Sequence, residues 1–228
     1  MKLDLNEIKA DLEAFKDSLR IDLLVYTRQA FNILPRIQNP EILDIGCGSG
    51  LPTIELARMC DGKITAIDIN QAMLDTLIKR AAETGFSDRI TVLNQTLMNM
   101  DFPSGSFDII WAEGSISVIG FDRGLIEFKT FIKNGGYLVI HDEKGQLKKK
   151  IKTINRIGYE LIDYFILNDE VWHKTYYVPL EKYINDLQLK YPQNNRVRII
   201  LQNDLREINE YYVNSNRYQS VFFIMKKI

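Results

Sequence analysis

Histidine, cysteine and proline are scarce in this 228-residue chain, which contains two, two and six of them. The two cysteines, Cys47 and Cys60, offer no disulfide framework. No set of histidine, cysteine, aspartate and glutamate residues has the spacing of metal ligands. No apolar run approaches the roughly 20 residues that a membrane-spanning helix needs. The net charge of −1 argues against a chain that grips nucleic acid by general electrostatics. We therefore expect no metal and no membrane segment, and a nucleic-acid partner is disfavoured.

The N-terminal residues 1–7 mix charged and apolar side chains and lack the apolar stretch of a secretion signal, so the expected location is the cytoplasm. The length suits a single α/β domain, residues 1–228, with a sizeable core.

Residues 41–50 predict a short buried strand that runs directly into a glycine-rich turn. Gly46, Gly48 and Gly50 allow the backbone to turn sharply and allow a ligand to approach bare main chain. Pro52 suits the first turn of the helix that follows, whose N-terminal amides would face that ligand. The alternative is that the glycines only form a tight strand-to-helix turn.

A second predicted strand, residues 63–69, carries Asp68 near its end, 20 residues after Gly48. A carboxylate at this place can accept both hydroxyl groups of a ribose, which argues for a nucleoside ligand. A dinucleotide site needs a small residue at the third position of its glycine pattern, and Leu51 stands there. A nucleotide-dependent oxidoreductase is therefore disfavoured.

The order of Asp44, Gly46, Gly48 and Gly50 resembles the first motif of the class I S-adenosylmethionine-dependent methyltransferases. The resemblance implies that the loop holds the amino-acid end of S-adenosylmethionine, that Asp68 holds its ribose, and that S-adenosylhomocysteine is the product. Residues 95–103 resemble the loop that contacts the adenine. The cofactor-binding residues implied in this way are Asp44, Gly46, Cys47, Gly48, Gly50, Asp68, Ile69, Thr96, Leu97, Glu113 and Tyr26.

The fold implied by the resemblance is an α/β, Rossmann-like three-layer sandwich with a mostly parallel seven-stranded sheet and an antiparallel last strand. Apolar spacing predicts an N-terminal helical segment over residues 4–34, and we expect a helical insertion near the C-terminus. The expected subdivision is a helical cap (1–38), a cofactor-binding core (39–145) and an acceptor-side half (146–228). Within the core, Asp122 is expected to cap a helix that residues 134–136 end.

A general base is optional, because alignment of the acceptor with the methyl–sulfur bond supplies much of the catalysis. If a base is used, His173 is the first candidate, His141 the second and Glu113 the third. A structural role is the alternative for either histidine.

Residues 168–181 are rich in aromatic side chains. They predict either an aromatic lid over a small acceptor or a helix that packs against the sheet. Together with residues 111–114 and 119–124 they resemble a small-molecule, ubiquinone/menaquinone-methyltransferase-like branch of the family, with no acceptor assigned.

The sequence thus predicts methyl transfer to a small-molecule acceptor by in-line displacement, and a homodimer is the assembly considered. Two alternatives remain open. One is a catalytically silent protein that only binds S-adenosylmethionine, and the other is a methyltransferase that acts on protein or RNA. Residues 112–115 lack the Asn/Asp-Pro-Pro-aromatic motif that many amino-methylating members carry.

Overall fold

A computed structural model describes residues 4–228, without the side chain of Asn216. Residues 1–3, which begin the predicted cap, lie outside the described part. The chain divides into two compact units, one of Met1–Leu23 with Leu167–Gln219, and one of Leu24–Ile166 with Ser220–Ile228. We call the first the helical unit and the second the sheet unit. The boundaries between these two units differ from the predicted boundaries, which lie after residues 38 and 145.

Seven strands form one sheet in the order β3-β2-β1-β4-β5-β7-β6. The strands are β1 (Glu41–Ile45), β2 (Lys63–Asp68), β3 (Ile90–Asn94), β4 (Phe107–Glu113), β5 (Ile132–Glu143), β6 (Tyr159–Leu167) and β7 (Ser220–Lys227). The pairs from β3 through β5 are parallel, and β7 runs antiparallel to β5. The predicted sheet is confirmed. β1 lies between β2 and β4, so the strands after β1 are added first on one side of it and, from β4 onward, on its other side. In open α/β sheets, ligands bind where the strand order changes sides in this way.

Helices cover both faces of the sheet. Following α1 (Leu5–Ile21) of the helical unit, the sheet unit contains α2 (Leu24–Ile33), α3 (Leu51–Met59), α4 (Gln71–Thr84), α5 (Phe121–Phe131) and α6 (Leu147–Ile157). Successive strand residues face opposite sides. Trp111 lies 6.2 Å from Phe31 of α2, measured between ring centroids, whereas Ile110 packs in one cluster with Phe128 of α5 and Ile154 of α6. The three-layer sandwich is therefore confirmed.

Local signals explain the ends of α4. Asn70 accepts a hydrogen bond from the amide of Met73 at 3.4 Å and caps the helix, and Gly85 ends it with φ of +77°. Leu74, Leu77 and Ala81 recur at helical spacing and are buried.

The prediction for the start of α5 and its connection to β5 was wrong. The helix begins at Phe121 after Gly120, and Asp122 lies in its first turn, 3.0 Å from Arg156 in an ion pair. Residues 134–136 belong to β5, which starts at Ile132 because Ile132 pairs with Phe107 of β4. The pairing register then shifts before Ile109, and this irregularity accommodates the glycines within the strand.

The helical unit joins α1 to the predicted insertion. That insertion contains α7 (Asp169–Trp172), a π-helical turn (His173–Tyr177), α8 (Val178–Lys190), α9 (Asn195–Val213) and a 3₁₀ turn (Ser215–Tyr218). Leu12 of α1 is buried in one cluster with Leu180 of α8 and Leu201 of α9. An ion pair between Lys16 and the buried Asp204, at 2.8 Å, also connects α1 to α9. The N-terminal helical segment and the insertion are both confirmed.

Candidate functional site

The glycine loop after β1 is attached to β2 by its own main chain. The amides of Gly46 and Cys47 both donate to the carbonyl oxygen of Ile67, at 2.8 and 3.0 Å. Gly46, Gly48 and Gly50 have φ of +72°, +53° and +81°, in the left-handed region that favours glycine. The backbone conformation of the loop therefore favours glycine at all three positions.

The surroundings of the three glycines differ. A β-carbon on Gly46 would lie 2.4 Å from the Ser115 side chain, and one on Gly50 would lie 2.1 Å from the Leu77 side chain. A β-carbon on Gly48 would meet nothing within 4 Å. Gly46 and Gly50 thus permit close protein packing, whereas Gly48 borders open space in which a ligand can contact the main chain.

Asp68 lies beside this open space. Its Oδ2 accepts a hydrogen bond from the Gly48 amide at 3.0 Å, and its Oδ1 accepts one from the Asn70 amide at 2.8 Å. Each carboxylate oxygen has two lone pairs, so each can still accept a ligand hydroxyl. The structure therefore brings together the loop and the spaced acid that the sequence singled out.

Asp44 is a buried acid one strand away from Asp68. Its Oδ2 accepts a hydrogen bond from the Thr53 hydroxyl of α3 at 2.6 Å. Burial raises the pKa of Asp44 to about 7, with a further contribution from the charge of Asp68, while the Thr53 bond opposes the shift. A cation bound nearby would favour the charged form of Asp44.

Arg80 and Ser115 support the loop from outside, and the sequence analysis did not find either of them. One guanidinium nitrogen of Arg80 donates to the Ser49 carbonyl at 2.9 Å and to the Ser49 hydroxyl at 2.8 Å. The Ser115 hydroxyl donates to the Ile45 carbonyl at 2.6 Å. Neither residue belongs to a sequence pattern that indicates this contact.

Glu113 ends β4 and is only partly accessible. Its Oε1 accepts hydrogen bonds from the Trp111 indole at 2.7 Å and from the hydroxyl of Thr27 in α2 at 2.9 Å. Burial raises the pKa of Glu113 to about 7, although both donors favour the charged form. Thr27 is another residue that the sequence analysis missed.

His141 pairs in register with Glu113 across β4 and β5. Its Nε2 lies 2.7 Å from the Ser220 hydroxyl, and its ring stacks on Phe222 with centroids 4.4 Å apart. Burial lowers the pKa of His141 to about 4, so the ring is neutral near pH 7. His173, the first candidate base, lies in the helical unit, where its ring centroid is 5.9 Å from that of Tyr211.

The remaining predicted cofactor residues have varied surroundings. The Tyr26 ring lies 6.4 Å from Phe165, and Cys47 is buried with a pKa raised by that burial. Ile69 is 69% exposed. The Thr96 hydroxyl accepts from the amide of Met98 at 3.1 Å, and Leu97 packs against the core. The roles of these residues stay predictions.

Arg28 of α2 pairs with Glu55 of α3 at 2.9 Å. Within residues 4–228, no cluster of three or more histidine, cysteine or acidic side chains could hold a metal ion. In the same part of the chain, every helix is too short or too polar to traverse a bilayer.

Comparison with known proteins agrees with this geometry. A family model described as a methyltransferase domain matches residues 42–136. Demethylmenaquinone methyltransferase from Symbiobacterium thermophilum is 30% identical over 139 residues, which cover 55% of this chain and 53% of that protein. The chain spans from about a quarter to about half of the length of the curated relatives it matches.

Solved structures share the fold over nearly the whole chain. A S-adenosylmethionine-dependent methyltransferase from Geobacter sulfurreducens, in complex with S-adenosylhomocysteine, has a TM-score of 0.75 at 16% identity and covers 89% of this chain and 90% of its own. The [4+2]-cyclase SpnF has a TM-score of 0.71 at 19% identity and covers 89% of this chain and 80% of its own. The fold alone therefore does not specify the reaction. Residues 42–136 thus match a methyltransferase-domain model, and the sheet order and the glycine motif are similar to those of the class I S-adenosylmethionine-dependent methyltransferases.

Proposed function

We propose that this protein transfers the methyl group of S-adenosylmethionine to a small-molecule acceptor. The observation that carries the proposal is the hydrogen bond between Gly48 and Asp68, which holds a carboxylate beside an uncovered stretch of glycine main chain. This arrangement suits a nucleoside that carries a polar tail.

The residues present fit the cofactor. Asp68 would bind the ribose hydroxyls, with Ile69 next to it, and Thr96 and Leu97 would border the adenine. Gly46, Cys47, Gly48 and Gly50 would surround the amino-acid end. Asp44, Glu113 and Tyr26 complete the proposed set. When bound, the cofactor would supply an electrophilic methyl group.

The charges at the carboxyl ends of the central strands support a positively charged ligand. The neighbouring strands β1, β2 and β4 each carry an acid at or near their carboxyl ends, namely Asp44, Asp68 and Glu113. The charge of Asp44 raises the pKa of Glu113. The basic side chains Arg28 and Arg80 are engaged by Glu55 and Ser49. A sulfonium and an ammonium group would offset the repulsion among these acids.

Of the two candidate bases in the sheet unit, Glu113 is favoured over His141 by its pKa. A general base is most effective when its pKa lies near the working pH, which describes Glu113 better than a histidine whose pKa is about 4. His173 stays a candidate base from the sequence analysis.

The proposed acceptor is small because the relatives are named for such acceptors, demethylmenaquinone among them. We also propose a cytoplasmic location and a homodimer, and size-exclusion chromatography with light scattering tests the second.

Calorimetry tests the central claim. We expect S-adenosylmethionine and S-adenosylhomocysteine to bind with one site per chain, and NADH to show no binding. Binding of NADH without either sulfur nucleoside would contradict the proposal. Incubation of the protein with methyl-labelled cofactor and a metabolite extract would then identify the acceptor.

A further inference from the structure

We propose that Thr27 and Trp111 are positioning residues that hold one oxygen of Glu113 and leave the other, Oε2, to take the proton of the methyl acceptor. The inference rests on the proposed methyl transfer and deepens it, because it assigns the basic atom and restricts the class of acceptor.

The two donors converge on one atom. The Trp111 indole donates to Oε1 at 2.7 Å from two residues earlier on the same strand, and the Thr27 hydroxyl donates to Oε1 at 2.9 Å from α2. Thr27 is 1% exposed and Trp111 is fully buried, so neither donor has water as a ready alternative partner. Within residues 4–228, Oε2 makes no hydrogen bond.

This asymmetry decides where a proton binds. An oxygen that already accepts two hydrogen bonds has its lone pairs engaged, so protonation there would break one of them. Protonation of Oε2 leaves both bonds in place. The fixed Oε1 also prevents the carboxylate from rotating, which keeps Oε2 in a constant direction.

The neighbouring groups hold the pKa of Glu113 near neutral pH. Asp44 of β1 adds negative charge and burial adds a desolvation cost, and both raise the pKa of Glu113, to about 7. Thr27 of α2 and Trp111 of β4 oppose that rise. His141 of β5 pairs in register with Glu113 and is neutral near pH 7, and it contacts Ser220 of β7.

The chemical step balances as follows. A lone pair of the acceptor atom forms the bond to the methyl carbon, and the carbon–sulfur bond breaks with its electron pair remaining on the sulfur. The proton of the acceptor atom passes to Oε2, whose lone pair forms the new O–H bond. The protonated side chain of Glu113 then releases this proton to solvent. The acceptor must therefore carry both a lone pair and a proton on the methylated atom, as a phenol, an alcohol or a primary or secondary amine does, whereas a thioether or tertiary amine has no such proton.

The chain offers a spectroscopic test, because it contains only two tryptophans, Trp111 and Trp172. In nitrogen-labelled protein, the indole signal of Trp111 should follow the ionisation of Glu113, and a Trp172→Phe variant identifies it. Between about pH 5 and about pH 9 we expect this signal to titrate with a midpoint close to 7. Glu113→Gln should abolish this titration.

Variants at Thr27 separate positioning from simple packing. Thr27→Val keeps the shape but removes the donor, and should raise the midpoint by about one pH unit. Thr27→Ser keeps a hydroxyl and should restore the midpoint. The matched control is Thr76→Val, because Thr76 bonds only the main chain of α4. An unchanged midpoint in Thr27→Val, or a Trp111 signal that does not titrate, would overturn the assignment.

Transfer assays test the role of Oε2. In Glu113→Gln, the amide oxygen can occupy the place of Oε1 and keep both donors, but the amide nitrogen at the place of Oε2 cannot accept a proton. We expect this variant to bind S-adenosylhomocysteine yet transfer labelled methyl groups at least 100-fold more slowly. Transfer at the wild-type rate would refute the proposal without affecting the proposed function. Failure of the wild-type protein to bind either sulfur nucleoside would refute the proposed function instead.

Discussion

Gly48 and Asp68 are joined by a hydrogen bond of 3.0 Å between the glycine amide and Oδ2 of the carboxylate. The bond connects the loop after β1 to the end of β2, and it couples two features that are 20 residues apart in the chain. In the proposed function, this one carboxylate supports the loop and also accepts hydrogen bonds from the ligand.

Asp68→Ala should weaken the binding of S-adenosylhomocysteine by roughly 10- to 100-fold, because the ribose loses its acceptor and the loop loses its anchor. Calorimetry measures the change. Asp61→Ala is the matched control, since Asp61 is exposed and precedes the opposite end of β2. Equal affinities of wild type and Asp68→Ala would remove Asp68 from the site.

Alanine substitution should have different effects at Gly46 and Gly48. Gly46→Ala forces a contact with Ser115 and strains the backbone, so we expect about 2 kcal/mol or more to be lost from the free energy of unfolding. Gly48→Ala carries only the backbone strain of about 1 kcal/mol, but its methyl group enters the proposed ligand space. In urea unfolding, Gly46→Ala should therefore be the less stable of the two variants. In calorimetry, Gly48→Ala should bind the cofactor more weakly than Gly46→Ala.

Arg80→Ala should lower cofactor affinity by about 3- to 10-fold, because Ser49 loses two hydrogen bonds that order the loop. Lys79→Ala, at a neighbouring and largely exposed position, serves as the control and should bind normally. Matching affinities in these two variants would mean that the loop holds its conformation without Arg80.

Asp44 should make the protein less stable as the pH rises. Its pKa increases from an ordinary 3.8 to about 7 on folding, so the folded state keeps a proton that the unfolded chain releases above about pH 4. The free energy of unfolding should then fall between about pH 4 and about pH 7. Glu113 should contribute in the same direction, because its pKa is also raised.

Asp44→Asn removes part of this dependence. At about pH 8 we expect the variant to exceed the wild type in free energy of unfolding by about 1–3 kcal/mol, and at about pH 4 we expect no difference. Urea titrations at both pH values provide the comparison, with the exposed Asp75→Asn as control. Parallel pH profiles of wild type and Asp44→Asn would contradict the expected role of burial.

The sequence was a good guide wherever the determining residues are neighbours in the chain. The bounds of α4 follow from Asn70, from the apolar spacing and from Gly85, all within one segment. The order Asp44, Gly46, Gly48 and Gly50 indicated the loop because positive φ is a local requirement. The start of β5 was not predictable in the same way, since Ile132 extends only because Phe107 of another strand pairs with it.

The missed site residues share one cause. Thr27 lies 86 residues from Glu113, Ser115 lies 70 residues from Ile45, and Arg80 lies 31 residues from Ser49. Each contact exists because strands and helices that are distant in the chain pack together. A threonine, a serine or an arginine in a helix or loop has too many ordinary uses for its type to reveal such a partner.

By itself, the sequence determined the alternation of strands and helices, the glycine loop and the place of the spaced acid, because periodicity and backbone conformation depend on nearby residues. Only the tertiary structure decided that α1 packs with α8 and α9 in one unit. It also decided the protonation of Asp44, Glu113 and His141. Their pKa values depend on burial and on partners from other elements, which no stretch of sequence contains.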